Sequence, residues 1–319
     1  MIKRVIFILV MLPTVGFSQL VPSNFEQIDY LVTFGPSSHP SWGDDDHSQV
    51  FFFVIPKSFT KPIYIRVFDP DVGGTLDEKN GEWNTTTRFR IIGGRGVHSE
   101  DSRKTDPVGD YDAGQLLASR TFGVDNRYNN QWFTFGPINP LEGEDSEELN
   151  GYVFKVIAEG VKGNDGNLYK YFLSTQPNLN REVEGANAFT YEYSFRLPVP
   201  YGSIAHLYPF IDENVQSITQ HNFDYDKEGV IMIYTVAKNR HRGATSSNYR
   251  WATSKHNIVK DEKNTTMDIQ IVKRGTSRND MVCYITNQYD EAMAFFSVPV
   301  GGPPKFKYKV NVNVNPKKN

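Results

Sequence analysis

The chain has 319 residues, with 34 Lys and Arg against 37 Asp and Glu, a formal net charge of −3 and a single cysteine. The mild acidity argues against a nucleic-acid partner, because nucleic-acid-binding proteins present a basic surface. One thiol cannot form an intrachain disulfide, so the fold must depend on its apolar core. A chain of about 300 residues is long enough for two such cores.

The N-terminus has the features of a secretory signal peptide. Lys3 and Arg4 form a basic head, residues 5–17 are almost entirely apolar, and Ser18 is a small residue before a polar one. This pattern predicts a signal peptide at residues 1–18. The apolar stretch is shorter than the roughly 20 residues that a transmembrane helix needs, and no later segment resembles such a helix. We therefore expect the mature chain in the periplasm, or secreted, or associated with the outer membrane.

Short runs with a period of two make up most of the remaining chain, and helical signal is scarce. Such runs, rich in aromatic and β-branched residues, predict strands, and Asp/Asn/Gly clusters predict the turns between them. Only residues 112–120 are a fair helix candidate. The predicted strands include residues 50–55, 63–68, 88–92, 131–135, 152–157, 190–197, 229–236, 267–272, 281–285 and 294–298.

These patterns predict an all-β protein with two β-sandwich domains after the signal peptide. The proline-containing segment around residue 198 is the predicted boundary. Residues 19–198 are expected to form a larger sandwich, jelly-roll-like or C2-like, and residues 199–319 a smaller immunoglobulin-like one. The alternating tail 306–314 is predicted to be a strand that closes the second domain or pairs with another protein's sheet edge. Cys283 is expected to be a buried residue of a strand.

Two acidic clusters are candidates for calcium binding. Ca²⁺ takes six to eight oxygen ligands, and Asp-rich loops between strands supply them. Converging carboxylates also require a cation to offset their repulsion. The alternative is a plain turn, because Asp, Pro and Gly are all turn residues. The candidate ligands are Asp44, Asp45 and Asp46, before the first strong strand, and Asp69, Asp71 and Asp77, in and after the sequence Asp-Pro-Asp-Val-Gly-Gly.

A third acidic segment, residues 222–229, looks like the start of a calcium loop. It lacks the later glutamate of an EF-hand, so we interpret it as a hairpin turn. The sequence has neither a His-Glu-x-x-His nor a Gly-x-Ser-x-Gly motif, so no residue is predicted to be catalytic.

Candidate binding residues are aromatic or acidic. Trp42 and Trp83 can stack on sugars, and the polar surroundings of Trp83 predict that it is the most exposed tryptophan, although tryptophan in a sandwich is more often core. Glu144 and Asp145 belong to the acidic run 142–148, which is either a solvated loop or a dock for a basic partner.

Three segments carry a resemblance to known proteins. Residues 66–74 resemble the edge of β-sandwiches that are attached to secreted bacterial proteases and envelope proteins. Residues 163–169 and 221–226 resemble exported proteins of bacteria that use the type 9 secretion system. In size and type the chain is similar to plug proteins of the type 9 translocon. That resemblance implies a role in closing the periplasmic mouth of an outer-membrane channel, and it assigns no functional residue.

Three functions are compatible with these features. The first is a non-catalytic periplasmic protein that docks on an outer-membrane complex or another envelope protein through sandwich loops or a sheet edge, with no cofactor. The second is a secreted carbohydrate-binding module or an adhesion module stabilised by calcium. The third is a glycan-active enzyme, which would require a pair of buried carboxylates in a cleft.

Overall fold

The computed structural model describes residues 20–99 and 113–304, which form an all-β structure of several antiparallel sheets. The predicted signal peptide and the predicted strand at 306–314 lie outside these ranges. Within them, short 3₁₀ turns occur at Pro40–Trp42, Pro140–Glu142 and Lys260–Glu262. None of the described segments is a helix with the length and apolarity needed to cross a bilayer.

The strands of the described residues fall in many short segments separated by turns. They are β1 (Tyr30–Phe34), β2 (Ser48–Pro56), β3 (Ile63–Phe68), β4 (Thr86–Gly93), β5 (Gln115–Phe122), β6 (Trp132–Ile138), β7 (Glu144–Ser146), β8 (Gly151–Lys162), β9 (Gly166–Ser174), β10 (Asn187–Thr190), β11 (Glu192–Arg196), β12 (Ile204–Leu207), β13 (Phe210–Ile211), β14 (Ser217–Phe223), β15 (Gly229–Tyr234), β16 (His241–Gly243), β17 (Trp251–Asn257), β18 (Thr265–Thr266), β19 (Asp268–Lys273), β20 (Asp280–Asn287) and β21 (Phe295–Phe296).

One long sheet runs through the described structure. Its eight strands have the order β17-β14-β20-β11-β1-β9-β3-β6. A second sheet has the order β21-β10-β2-β8-β4-β5, with β7 paired to β8, and a third has the order β12-β19-β15-β16. Strands β13 and β18 form a separate pair.

The core lies between the long sheet and the other two. Phe51 on β2 stacks on Tyr171 on β9 with ring centroids 4.5 Å apart, and Phe89 meets Tyr169 at 5.0 Å. The same cluster of buried side chains continues to Ile231 on β15 and to Ile285 on β20. We call the seven-stranded sheet with β11-β1-β9-β3-β6 the first sandwich, and the four-stranded sheet with β17-β14-β20 the second sandwich. Along strands such as β3, alternate residues point into this core because the side-chain period of a strand is two.

The long sheet is continuous across the predicted boundary at residue 198. That residue falls in the connection from β11 to β12, yet β11 pairs with β20 over five residues. Strand β21, from the C-terminal half, pairs with β10 in the first sandwich. The two sandwiches therefore share backbone hydrogen bonds as well as apolar contacts.

Three sequence predictions about local structure were wrong. The helix candidate at 112–120 is β5 from residue 115 onward, an edge strand that pairs with β4; it is exposed on both faces, so its sequence carries no clear strand period. The predicted strand 190–197 is divided at Tyr191 between β10 and β11, which belong to different sheets. Residues 222–229 join β14 to β15 in different sheets, so they are not a hairpin turn. Cys283 is buried in β20, as expected.

Candidate functional site

The cluster of Asp44, Asp45 and Asp46 is a compact turn. Oxygens of the three carboxylates lie within 4.8 Å of one another. Asp44 has no solvent-accessible surface, and it accepts hydrogen bonds from the backbone N–H groups of Phe34 at 2.7 Å and His47 at 2.8 Å. Burial raises the pKa of Asp44 to about 7. These hydrogen bonds indicate that Asp44 stabilises the turn.

Asp69, Asp71 and Asp77 form what we call the first aspartate corner. They follow β3, and all three are buried, with 1%, 0% and 5% of their surface exposed. Asp69 has a φ of 56°, which places it in the left-handed region that Asp tolerates better than most residues. Burial raises the pKa of Asp69 to about 6 and that of Asp77 to about 8, and the neighbouring carboxylates of the corner add to both increases.

Backbone N–H groups orient each carboxylate of the first aspartate corner. Such bonds offset part of the cost of burying a carboxylate, but they do not supply a full positive charge. The donors are Asn130 to Asp69 Oδ1 at 2.9 Å, Tyr128 to Asp71 Oδ2 at 2.9 Å, and Gly73 and Leu168 to the two oxygens of Asp77 at 2.7 and 2.8 Å.

Three buried oxygens at this corner have no hydrogen-bond partner within the described residues. They are Oδ1 of Asp71, of Asn129 and of Asn167. Asn167 donates its amide N–H to the carbonyl oxygen of Pro70 at 2.8 Å, so its head group lies against the corner. Buried polar atoms are rarely left without a partner. The sequence predicted the aspartates as candidate ligands, but the local sequence around Asn129 or Asn167 gave no indication that these residues belong to the same site.

Asp224 and Asp226 form a second aspartate corner at the end of β14, and its first aspartate, like Asp69, has a positive φ, of 54°. In both corners, two consecutive residues of a facing loop hold the first aspartate. Asp69 donates its backbone N–H to the Gln131 carbonyl at 2.8 Å, and its Oδ1 accepts from the Asn130 N–H. Likewise, Asp224 donates to the Arg250 carbonyl at 3.3 Å, and its Oδ1 accepts from the Tyr249 N–H at 2.6 Å.

A basic side chain is buried beside the second aspartate corner. Lys273 is fully buried, and its ammonium lies 3.4 Å from a carboxylate oxygen of Glu228. Burial and Glu228 raise the pKa of Asp226, and the Lys273 charge offsets part of that increase. Arg196, by contrast, donates to the two oxygens of Asp280, both at 2.7 Å, and to the carbonyl oxygen of Leu76, next to Asp77, at 3.3 Å.

The predicted binding residues are separated in the structure. Trp42 is half-buried and packs edge-on against Phe34, and Trp83 is half-buried beside Lys79. Glu144 accepts hydrogen bonds from backbone N–H groups of residues 96 and 98, and Asp145 forms an ion pair with Lys57. These four residues therefore do not form one site. The prediction that Trp83 is the most exposed tryptophan was wrong.

Trp251 is the most exposed of the four tryptophans, with 41% of its surface accessible. It lies on the face of the long sheet that points away from the core, with its ring centroid 5.1 Å from that of Phe223 and 5.3 Å from that of Tyr284. His221 stacks on Tyr284 at 4.3 Å. Together these side chains form an aromatic surface on the second sandwich.

A cavity of about 600 Å³ lies where the N-terminal segment and the β11–β12 connection meet the long sheet. We call it the junction groove. Asn24, Gln27 and Asp29 in its lining are exposed, so it opens to solvent. Its apolar and basic lining includes Pro22, Ile28, Trp132, Phe172, Val199 and Lys170.

Glu26 lies at the base of the junction groove and ties the two sandwiches together. Its Oε1 accepts from the Tyr193 hydroxyl at 2.7 Å and its Oε2 from the Ser297 hydroxyl at 2.6 Å, while its backbone carbonyl accepts from the His206 N–H at 2.8 Å. Burial raises the pKa of Glu26 to about 7. The other carboxylate in the described lining, Asp29, is exposed. The sequence analysis did not identify Glu26, because its partners come from distant strands.

Comparisons with known proteins define no family for the chain. No family model and no curated protein matches it. Among solved structures, a tandem of CBM22 domains from Paenibacillus barcinonensis Xyn10C is 10% identical, with a TM-score of 0.19 over 84% of this chain and 85% of that one. A T=1 Penaeus vannamei nodavirus structure is 11% identical, with a TM-score of 0.15 over 82% and 88%. Scores this low carry no functional argument.

Proposed function

We propose that this chain is an exported, non-catalytic protein that docks on an outer-membrane protein complex of the cell envelope through the junction groove. In this proposal the first sandwich is jelly-roll-like or C2-like and the second is immunoglobulin-like. The predicted signal peptide places the mature protein in the periplasm. Closing the periplasmic side of a type 9 translocon is the most specific form of the proposal, and it is supported by the sequence resemblance only.

Exposed apolar side chains around the junction groove carry the proposal. Phe25, between two groove-lining residues, is 50% exposed, and Val199 in the β11–β12 connection is 59% exposed. Tyr201, in the same connection, is 65% exposed. Clustered apolar surface next to a concave cavity is typical of interaction sites. The mixture of Trp132, Val199 and Lys170 fits an apolar or aromatic segment of a partner that carries a negative charge nearby.

The Glu26 contacts support a binding role over catalysis. Both carboxylate oxygens of Glu26 accept hydrogen bonds, so the carboxylate joins Tyr193 on β11 to Ser297, which follows β21. Glycoside hydrolysis needs two carboxylates that flank the bond to be cleaved. Asp29 is the only other described acid of the groove, and it is exposed, whereas a glycosidase places its general acid in a pocket shielded from water.

A pull-down from outer membranes tests the proposal. Tagged mature protein is incubated with solubilised outer membranes, and co-purifying proteins are identified by mass spectrometry. We expect an integral outer-membrane protein with the wild type, and loss of this protein with Val199→Glu. Val161→Glu on β8 is the matched control, because Val161 is also exposed, at 45%, but lies away from the groove. Purification of the wild type alone, or retention of the partner by Val199→Glu, would contradict the proposal.

A carbohydrate-binding function is the second candidate, and the aromatic surface around Trp251 favours it. Exposed aromatic rings on a sheet face present apolar area with polar edges, which suits stacking against a sugar ring. Binding to a glycan array by the wild type, and its loss in Trp251→Ala, would support this candidate. An array without any bound glycan would remove it.

A further inference from the structure

The two aspartate corners hold their first aspartate with the same hydrogen bonds but differ in the charge around it. Beside the second corner, Lys273 is fully buried, and its charge acts on Asp226. In the part of the chain that the structure describes, no lysine or arginine forms an ion pair with Asp69, Asp71 or Asp77. Arg127 in the facing loop pairs with Asp125; its charge also acts on Asp71, but 70% of its side chain is exposed, so solvent screens that charge. Three buried carboxylates therefore share one corner with no basic side chain of the protein paired to them.

One of the orphaned oxygens at the first aspartate corner belongs to Asn129 in the facing loop. Asn129 lies over Gly73 and Gly74, since a Cβ built on Gly74 would come within 3.0 Å of the Asn129 side chain. The amide N–H of Asn129 donates to Asn126 at 3.2 Å, which leaves its oxygen as the group without a partner. Both glycines have positive φ values, of 138° and 86°. They let the backbone approach Asn129 closely, which a larger residue would prevent.

Asn167 brings a second neutral oxygen to the corner from β9. Its amide donates to Pro70, between the first two aspartates, and the next residue, Leu168, donates its N–H to Asp77. Asn167 has no accessible surface, and neither has Asp71. Leaving an acceptor buried without a partner costs roughly the desolvation of that group, so two such residues at one acidic corner are unusual.

We propose that the first aspartate corner is a Ca²⁺ site, with ligand oxygens from Asp71, Asn129 and Asn167 and with Asp69 and Asp77 contributing charge. A divalent cation supplies positive charge to a corner in which, among the described residues, no basic side chain pairs with a carboxylate. Ca²⁺ fits better than Mg²⁺, because it accepts neutral amide oxygens with carboxylates in flexible geometry, whereas Mg²⁺ retains most of its waters. Transition metals are disfavoured, since the ligand atoms are all oxygens.

The Asp44–Asp46 cluster is the alternative location for a bound cation, so the experiment must separate the two. Mature protein is stripped with EDTA, and its melting temperature is measured with and without CaCl₂. Terbium luminescence, sensitised by nearby aromatic residues, reports binding directly. We expect Ca²⁺ to raise the melting temperature of the wild type and to compete with terbium.

Variants then locate the site. Asp71→Asn keeps the acceptor for the Tyr128 N–H but removes a charge, and we expect it to weaken Ca²⁺ binding by roughly tenfold or more. Asp226→Asn in the second corner and Asp46→Asn in the other cluster are matched controls that retain the calcium shift. If Asp71→Asn does not fold in EDTA, Asn129→Ala in the partly exposed loop provides the same measurement. No calcium response in the wild type, or a response that Asp46→Asn abolishes and Asp71→Asn retains, would overturn the proposal.

Discussion

The two aspartate corners both bury carboxylates, but they differ in the side chains that surround those carboxylates. Each ends a strand of the long sheet with two aspartates, and each uses an N–H group of a facing loop to hold the first aspartate. The second corner has a buried basic side chain beside it, Lys273 on β19, whereas the first has a third acid, Asp77, and two asparagine oxygens. Since the first aspartate is held in the same way in both corners, the difference lies in side chains that arrive from other parts of the chain. The comparison shows that whether an acidic turn needs a bound cation depends on the side chains packed around the turn.

Glu26 at the junction groove shows a third solution. It has hydroxyl donors but no cation, and burial raises its pKa to about 7. A carboxyl group in such a place is protonated over much of the pH range in which other carboxylates are charged. The three sites thus predict different responses to mutation and pH.

The largest expected effect comes from removing the cation that bridges the sandwiches. Arg196 contacts Asp280 on β20 and Glu78 at 2.6 Å, with 12% of its own side chain exposed. Arg196→Met leaves the buried carboxylate of Asp280 without its cation, so we expect a loss of about 3–5 kcal/mol in the free energy of unfolding by urea. Arg278→Met is the control: Arg278 also contacts Glu78, but 61% of its side chain is exposed, so a change below about 0.5 kcal/mol is expected. Equal losses in both variants would break the comparison.

The next effect is a pH dependence at Glu26. Because its pKa rises from 4.5 to about 7 on folding, the folded state binds the proton more tightly. The contribution of Glu26 to stability is therefore fully present below pH 4.5 and is lost as pH rises through 7. Glu26→Gln cannot titrate, so its stability relative to wild type should increase by at most about 3 kcal/mol between pH 4.5 and pH 8.

Urea unfolding of the wild type and of Glu26→Gln at several pH values measures this difference. Glu82→Gln is the control, because the Glu82 side chain is 98% exposed and should show no such trend. A constant difference between Glu26→Gln and wild type across the pH range would show that Glu26 is ionised in the folded protein.

The smallest effect concerns the buried lysine of the second corner. Lys273→Met removes the ammonium 3.4 Å from Glu228 but also removes the cost of burying that ammonium. We expect a net loss of about 2 kcal/mol in the free energy of unfolding. The exposed neighbour Arg274 gives the matched control, Arg274→Met, with a change below about 0.5 kcal/mol. A stabilised Lys273→Met variant would mean that this corner does not depend on its internal cation.

Much of the fold was predictable because strand patterning is local. Residues 63–68 are β3 as predicted, and the strands around residues 50, 152 and 281 are also confirmed. The prediction of a single strand at residues 190–197 failed at Tyr191, where the chain passes from one sheet to another. A continuous apolar run does not indicate which sheet each half of it joins. The edge strand β5 was not predicted because both of its faces are exposed, so its sequence does not alternate between apolar and polar residues.

For the candidate calcium site, the sequence by itself determined that the aspartates and glycines form a turn, because the residues that favour a turn are consecutive in the chain. Only the tertiary structure decided which groups surround them. Asn167 comes from a strand about a hundred residues away, and Lys273 reaches the second corner through the pairing of β19 with β15. The charge balance of a buried turn is a long-range property, since Coulomb interactions in a core depend on distance in space and not on separation along the chain.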